Sequence, residues 1–370
     1  MISVFINTSE NEGEASFPVS DLYLEKYSFT ESIFSLYTKG FLYIKDPTCS
    51  FSPFIKIGTE FLVSFPQDAS TLHSMRVTSF RKIPSSQNSL TGNSIEVNLI
   101  NSWFFKKSVY SAACEGNVSS IIQSEILKEG FFKKCKIEKG SDIPRTRYLL
   151  GKSLPEYINS IIKYGFKKAD DGTRSPLMAF TEFGSSFVVS SLKTLSQENP
   201  CMLFIPWGNI VEAGIKIPAD FESYTIARML AYSLVSGGTN IPSNDALEVS
   251  RNLLLESNIK ESRENFSSSL NGTFVSMEYP QSQKYSSWYN VPEDEISEYM
   301  REKEITLRKS SGLECICPDE IVLNLGSTVN AILPQTFSLG GCSKFQVYEM
   351  SYEKERDNIT TSLKMFPIGD

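Results

Sequence analysis

The residues that most often carry catalysis or bind metals are scarce in this sequence. His73 is the single histidine of the 370-residue chain, so a Ser–His–Asp hydrolase or a histidine-ligated zinc site would depend on it alone. It stands in the run TLHSMRV at the start of a predicted strand, and we interpret it as a strand or loop histidine. We therefore predict no catalytic residue, no metal ligand and no bound cofactor.

Seven cysteines are scattered along the chain without the regular spacing of a disulfide framework. They are Cys49, Cys114, Cys135, Cys201, Cys315, Cys317 and Cys342. Cys315 and Cys317 are the only close pair, and a C-x-C sequence without a second pair is a weak metal motif. We interpret these two residues as thiols at the edge of a strand, in a protein kept in a reducing compartment.

The tripeptide Gly151-Lys152-Ser153 resembles the end of a nucleotide-binding P-loop. That motif requires a glycine five residues before Gly151, where this chain has Thr146. We therefore interpret Lys152 as an exposed side chain and Ser153 as a helix cap. A cluster of lysines lies upstream, and we interpret it as a solvated face and not as a ligand site. It consists of Lys133, Lys134, Lys136 and Lys139.

Paired carboxylates could support glycoside hydrolysis, which leaves a cell-wall hydrolase as one alternative function. Two acidic clusters are candidates: Asp170 and Asp171 in a predicted loop, and residues 293–295 at the predicted start of a helix. The chain has 43 Asp and Glu residues, so some adjacent carboxylates are inevitable. We interpret both clusters as solvated or helix-capping carboxylates, and we predict that the protein is not an enzyme.

Charge and composition exclude further classes of protein. The net charge of −7 argues against a protein that holds nucleic acid through phosphate contacts, and against a polybasic membrane-surface protein. The hydrophobic fraction of 41% is typical of a globular protein, and the length predicts two or three domains. We expect no signal peptide, because the run from Met1 to Phe5 lacks a basic segment and a long apolar one. We expect no membrane-spanning segment, because no apolar run approaches 18 residues.

A helix followed by a hairpin is the best-defined local structure, and it occupies residues 153–195. Ser153 is a good N-cap with Glu156 three residues on, which predicts a capping box and a helix that ends before Gly165. The runs 177–181 and 186–189 predict two antiparallel strands. A second capped helix is predicted to begin after Asn117 and to end at Gly130.

Both ends of the chain have the pattern of short β-strands. Seven runs in the first 112 residues are rich in β-branched and aromatic residues, and they are ISVFI, DLYLEKYSF, ESIFSLY, GFLYIKD, FIKIGTEFLVSF, SMRVTSFRKI and SIEVNLI. The alternating runs EIVLNLGSTVNAIL, SKFQVYEMSYEKE and NITTSLKMF predict strands near the C-terminus, with Tyr348, Met350 and Tyr352 on one face.

These patterns predict a mainly β, α+β protein with two small β-barrel domains and a helix-containing middle part. Residues 1–112 are the first barrel, and residues 113–219 are a mixed helix and hairpin domain that contributes to the second. Residues 220–314 are a helical and polar insert, with a predicted helix at 221–235 and a polar stretch at 260–290. Residues 315–370 supply the closing strands of the second barrel.

Four stretches resemble one family of proteins. They are SIEVNLINSW at 94–103, GNVSSIIQSEIL at 116–127, SLPEYINSIIKYGF at 153–166 followed by LMAFTEFGSSFVVSSLKTL, and IVLNLGSTVNAILP at 321–334 with the strands that follow. The sequence is similar in these stretches to the central baseplate hub protein of contractile-tailed bacteriophages. The N-terminal part of type VI secretion spike proteins and late-control tail proteins share that fold.

The resemblance implies a structural subunit of the virion, built into the tail baseplate in the host cytoplasm. Its members place two barrels per subunit around a threefold axis, so that a homotrimer forms a pseudo-sixfold ring. The implied partners are a tail spike or spike-lysozyme protein, the tail tube or tube-initiator proteins and the tape measure protein, with DNA only in passage. A distal tail ring protein of a non-contractile phage, which would be hexameric, is the main alternative.

Overall fold

A computed structural model of the protein describes residues 2–7, 16–83, 93–105, 110–130, 132, 134–168, 174–183, 186–201, 203–206, 221–231, 301, 311–318, 320–333 and 341–368. Within these ranges the fold is mainly β, as predicted. The strands are β1 (Ser3–Asn7), β2 (Ser16–Pro18), β3 (Leu24–Ser32), β4 (Lys39–Asp46), β5 (Glu60–Phe65), β6 (Asp68–Ile83), β7 (Asn93–Asn101), β8 (Tyr110–Asn117), β9 (Lys134–Ile137), β10 (Asp142–Lys152), β11 (Phe166–Lys168), β12 (Arg174–Glu182), β13 (Ser186–Ser191), β14 (Leu203–Pro206), β15 (Phe221–Ala231), β16 (Ser311–Pro318), β17 (Thr328–Leu333), β18 (Gly341–Glu355) and β19 (Asn358–Pro367). The helices are α1 (Val118–Glu129), α2 (Leu154–Ile162) and α3 (Leu192–Gln197), with a short 3-10 helix at Ser102–Phe105.

Thirteen strands form one curled sheet in the order β17-β14-β15-β16-β19-β18-β3-β4-β7-β6-β5-β1-β2. Strand β17 also pairs with the start of β18, so the six strands from β17 to β18 make a closed cycle of pairings. The other seven strands continue from β18 as an open run, joined through the register of Tyr352 with Phe29. A closed cycle has no unpaired edge, and β2 is the last strand of the open run among the described residues.

One core packs against this sheet and includes residues from both ends of the chain. Tyr27 and Phe29 of β3 are buried with Met350 and Tyr352 of β18, at 1% exposure or less. The prediction that Tyr348, Met350 and Tyr352 share one face is confirmed, because all three lie in this core. The N-terminal and C-terminal strands therefore fold as neighbours.

The central hairpin β12–β13 separates that core from a second one. Its strands pair as predicted, with Ala179 opposite Val189, and every residue of β13 is buried. Alternate residues face opposite sides: Met178, Phe180 and Val188 join the core of the large sheet, and Leu177, Ala179, Phe187 and Val189 join a core built on α1 and α2. A hairpin buried on both faces links the two halves of the structure.

Both predicted helices of the middle part are confirmed. The backbone N–H and the hydroxyl of Ser153 donate to Glu156 Oε2 at 2.9 Å each, so this carboxylate caps the start of α2. Asn117 accepts hydrogen bonds from the backbone N–H groups of Ser119 and Ser120 at the start of α1. That helix ends at Gly130, whose φ of 67° lies in the left-handed region that glycine adopts freely.

Strands begin later than predicted in two runs, at Glu60 in FIKIGTEFLVSF and at Thr328 in EIVLNLGSTVNAIL. Two further sequence predictions are wrong. Residues 221–235 were expected to be helical, but residues 221–231 form strand β15, which pairs with β14 and β16. The run ESIFSLY was expected to be a strand, but β3 ends at Ser32 and the chain then turns, with Ile33 N–H donating to Tyr348 O at 2.9 Å. In both places hydrogen bonds to distant strands override the local pattern. The polar stretch at 260–290 and the helix predicted to start at residues 293–295 lie outside the described residues, apart from the helical Arg301.

Candidate functional site

His73, Cys315 and Cys317 all lie in strands of the large sheet. His73 is a buried residue of β6 with its ring 5.7 Å from that of Phe65, which agrees with its interpretation as a strand histidine. Cys315 and Cys317 lie in β16 and are both fully buried in the core of the large sheet. Among the described residues no three His, Cys, Asp or Glu side chains approach closely enough to hold a metal ion.

The lysines of the basic cluster that the structure describes lie on the surface. Lys134 and Lys136 are exposed on the edge strand β9, and Lys136 forms an ion pair of 3.3 Å with Glu182. Lys152 is the half-buried last residue of β10, directly before the cap of α2. Lys133, the pair Asp170–Asp171 and the cluster 293–295 lie outside the described residues.

The polar group that the structure does single out is Glu31, which is 2% exposed in the core of the large sheet. Its carboxyl group accepts hydrogen bonds from the hydroxyl of Thr38, from the hydroxyl of Thr181 at 3.1 Å and from the backbone N–H of Phe183. Asn101, at the end of β7, donates to Thr38 Oγ1 at 3.0 Å and extends the network. We call these five residues the Glu31 junction; they join strands β3, β7 and β12.

Burial is the main cause of the raised pKa of Glu31, which is about 8. The hydrogen bonds from Phe183, Thr38 and Thr181 act in the opposite direction because they favour the carboxylate, and the nearby charge of Glu182 raises the pKa further. At neutral pH the folded protein therefore holds Glu31 mainly as the neutral acid, a form that can also donate a hydrogen bond. A neutral, fully hydrogen-bonded acid can lie in an apolar core at low cost.

Phe183 completes the junction at the end of the hairpin. Its φ of 38° lies in the left-handed region, where a bulky side chain is uncommon. Its ring centroid lies 4.9 Å from that of Phe65 in β5 and 5.0 Å from that of Tyr352 in β18. The turn of the hairpin thereby contacts the open run and the closed cycle of the large sheet at one point.

A second carboxylate, Glu138, accepts hydrogen bonds from the end of β13 and the start of α3. It accepts hydrogen bonds from Thr194 Oγ1 at 2.6 Å, Ser191 N–H at 2.7 Å and Ser190 Oγ at 3.0 Å, and it pairs with Lys167. Partial burial raises the pKa of Glu138, but the hydrogen bonds from Lys167 and from the Ser and Thr donors outweigh it, so the pKa lies below its usual range. We call this set the Glu138 network.

Glu320 links the C-terminal part of the chain to its N-terminal part through hydrogen bonds. Its Oε1 accepts from Ile2 N–H at 2.9 Å and from the hydroxyl of Tyr27 at 3.0 Å. Burial and this neighbouring carboxylate raise the pKa of Tyr27, so the phenol remains a donor. Tyr352 adds a bond of 2.6 Å to the backbone oxygen of Ile321.

These three polar groups join segments that are far apart in the sequence. Glu31 and Glu138 accept hydrogen bonds from donors of the protein itself. The sequence analysis missed Glu31, although its signal was present: Tyr27, Phe29, Glu31 and Ile33 alternate as an inward-facing series in which only Glu31 is polar. The described part of the chain also contains no helix of the length and hydropathy needed to span a membrane.

Known proteins resemble this chain in structure. No protein-family model matches the sequence, and no curated protein does. The 43 kDa tail protein of prophage MuSo2 from Shewanella oneidensis superposes with a TM-score of 0.58 at 9% identity, over 99% of this chain and 98% of that one. A tail protein from Neisseria meningitidis MC58 gives a TM-score of 0.52 at 10% identity, over 99% and 95% of the two chains.

A third solved structure is the Escherichia coli c3393 protein, described as a component of the type VI secretion system with structural similarity to the T4 tail proteins gp27 and gp5. Its TM-score is 0.48 at 11% identity, over 99% of this chain and 77% of that one. The resemblance to phage tail proteins is thus confirmed as a likeness of fold.

Proposed function

We propose that this protein is a non-catalytic structural subunit at the baseplate hub of a phage tail. The observation that carries the proposal is the likeness of fold to two phage tail proteins over nearly the full length of all three chains. A likeness that covers both chains leaves little of this chain for a separate catalytic domain. The way in which the described polar groups serve packing supports the same conclusion.

In this proposal three copies form a ring with pseudo-sixfold symmetry. Each copy contributes two barrel-type units, one from residues 1–112 and one from the closed cycle of strands between Leu203 and Pro367. Residues 113–201 supply the hairpin that joins the units, and the polar stretch at 260–290 is the expected source of the spike-facing surface. Three subunits with two similar units each match a sixfold tube on one side and a threefold spike on the other.

The proposed partners are other proteins of the tail. A spike or spike-lysozyme protein would bind the threefold side, the tail tube or tube-initiator proteins the sixfold side, and the tape measure protein the interior. DNA would pass through without being held, and the net charge of −7 supports this part because an acidic wall repels phosphates. The protein would be assembled in the host cytoplasm and reside in the virion.

The test is electron microscopy of the purified protein, alone and with a candidate spike protein. We expect ring-shaped particles with threefold symmetry and an approximately sixfold outline, which bind the spike protein on one side only. Rings of six identical subunits would instead assign the protein as a distal tail ring. Clearing of cell-wall material by the purified protein would contradict a purely structural role.

A further inference from the structure

Strand β9 is an uncovered edge of the sheet that contains the central hairpin. The strands of this sheet follow the order β11-β12-β13-β9, and among the described residues β9 pairs with β13 alone. A strand at the end of a sheet presents a row of backbone N–H and C=O groups without partners. Such a row can pair with an extended segment of another protein, and the proposed function gives this edge no role.

The pairing of β9 with β13 identifies the backbone groups that face outward. The N–H of Glu138 donates to Val189 O at 2.8 Å, so the backbone groups of Glu138 point toward β13. Successive residues of a strand direct these groups to opposite edges, so Lys136 also faces β13, whereas Cys135 and Ile137 face away from it. Within the described part of the chain, the N–H and C=O of Cys135 and Ile137 form no hydrogen bond.

The side chains of β9 give its two faces different chemistry. Lys134 and Lys136 are exposed on one face. Cys135 and Ile137 are half-buried on the other, where they pack against the core built on α1 and α2. A strand added at this edge would therefore place alternate side chains beside the lysines and beside the half-buried pair.

The charge of this edge favours an acidic occupant. Residues 133–139 contain four lysines and one glutamate, a net charge of +3. Lys136 forms an ion pair of 3.3 Å with Glu182, whereas Lys134 forms none within the ranges that the structure describes. Two copies of β9 placed edge to edge would bring lysines beside lysines, and like charges opposite each other disfavour that pairing.

We propose that β9 receives an extended segment of a partner protein in which acidic and apolar residues alternate. The backbone of this segment hydrogen-bonds to Cys135 and Ile137. Its acidic side chains lie beside Lys134 and Lys136, and its apolar side chains cover the half-buried face. Main-chain hydrogen bonds supply the affinity of such a contact, and the alternate side chains supply its specificity. The inference rests on the proposed function only in expecting the partner to be another tail protein.

A short synthetic peptide that alternates glutamate and valine is the probe, and a peptide that alternates lysine and valine is its control. Fluorescence anisotropy of the labelled peptides measures their binding to the full-length protein. We expect the acidic peptide to bind and the basic one not to bind. Hydrogen–deuterium exchange should slow at the amides of Cys135 and Ile137 when the acidic peptide is present. The amide of Lys136, which faces β13, should exchange at the same rate with and without it.

Two variants at one position test the backbone contact. Cys135→Pro removes an outward N–H and places a ring in the path of the added strand, and it leaves the hydrogen bonds to β13 in place. Cys135→Ala keeps the N–H and is the matched control. We expect Cys135→Pro to weaken binding of the acidic peptide by at least about tenfold, and Cys135→Ala to leave it unchanged. Circular dichroism melting curves check that both variants fold.

A charge reversal tests the side-chain contact. Lys134→Glu should weaken binding of the acidic peptide by about two- to fivefold at low salt, the range of an exposed ion pair. It should also strengthen binding of the basic peptide, a gain that a misfolded variant would not produce. Lys82→Glu, at an exposed position of β6, is the matched control and should change neither affinity.

Three outcomes would overturn the inference. The first is an acidic peptide that fails to bind the unmodified protein, or that binds Cys135→Pro and Cys135→Ala equally. The second is slow exchange at Cys135 and Ile137 before any peptide is added, which would show that the chain itself covers the edge. The third is a mass in solution that falls for Cys135→Pro but not for Cys135→Ala, which would assign the edge to a second copy. The symmetry of the unmodified particles tests the proposed function separately.

Discussion

Thr181 donates a hydrogen bond of 3.1 Å to the carboxyl group of Glu31, although the two residues are 150 positions apart. Thr181 lies near the end of β12 in the central hairpin, and Glu31 lies near the end of β3 in the large sheet. Both side chains are buried. Strand β3 in turn pairs with β18, so this single contact connects the middle of the chain with strands from both of its ends.

The buried acid Glu31 makes stability depend on pH. Its pKa is about 8 in the folded protein against an ordinary value of 4.5, so the folded state binds more protons between these values. The contribution of Glu31 to the free energy of unfolding is fully present below pH 4.5 and is lost as the pH rises to 8. The loss is at most about 1.4 kcal/mol per pH unit. Glu31→Gln should flatten the urea-unfolding free energy over this pH range.

The matched control for that experiment is Glu96→Gln. Glu96 lies on β7 and forms a surface ion pair of 2.8 Å with Arg81. We expect this variant to keep the pH dependence of the unmodified protein. An unmodified protein whose stability rises steadily from pH 5 to pH 8, or a Glu31→Gln variant with the same slope as the control, would refute the role assigned to Glu31.

The Glu138 network should change stability with pH in the opposite direction to Glu31. Because the pKa of Glu138 lies below its usual range, its contribution is present above the unfolded pKa and lost as the pH falls through the folded pKa. Glu138→Ala leaves the donors of Ser190, Ser191 and Thr194 without their acceptor and should cost about 2 kcal/mol at neutral pH. Chemical unfolding at pH 7 and pH 3 measures both effects, and an equal loss at the two pH values would contradict them.

Position 140 requires glycine because neighbouring side chains leave no room for a larger residue. A methyl group there would meet the side chain of Leu177 and lie 3.0 Å from Ser119 Oγ. The same segment is held by Asn117 Nδ2, which donates to Gly140 O at 2.6 Å. Gly140→Ala should therefore destabilise the protein by about 1–3 kcal/mol through overpacking, measured as a lower thermal midpoint.

Gly151→Ala is the control for this prediction. Gly151 has a φ of 65° and open space around its missing side chain, so alanine there adds backbone strain without a clash. Its cost should be about 1 kcal/mol. Equal destabilisation by the two variants would show that packing against Leu177 is not what requires glycine at position 140.

Local signals explain what the sequence could predict of the fold. The helix α2 and the hairpin β12–β13 have caps, turns and apolar spacing within a few residues, and both were found. Residues 221–231 contain Ile226, Met229 and Leu230, a spacing that fits a helix stripe as well as a buried strand. Pairing with β14 and β16 decides in favour of the strand, and those partners cannot be recognised from the local pattern.

The closed cycle of strands was harder to foresee. It depends on parallel pairing of β14 with β17, where Leu203 lies opposite Asn330. Contacts between residues so far apart leave no periodic signal in either segment. The Glu31 junction was detectable in part, because a lone carboxyl in an inward-facing series indicates a buried polar group. Its partners, Thr181 and Phe183, depend on the tertiary fold.

The mass of the purified protein in solution tests the central claim most directly. Light scattering should be recorded with and without a candidate spike protein, over a range of concentrations. The hub proposal predicts a trimer, near three times the chain mass of 41.5 kDa, either alone or on addition of the spike protein. A protein that stays monomeric with every tail partner would contradict the account, and a hexamer would point to a distal tail ring.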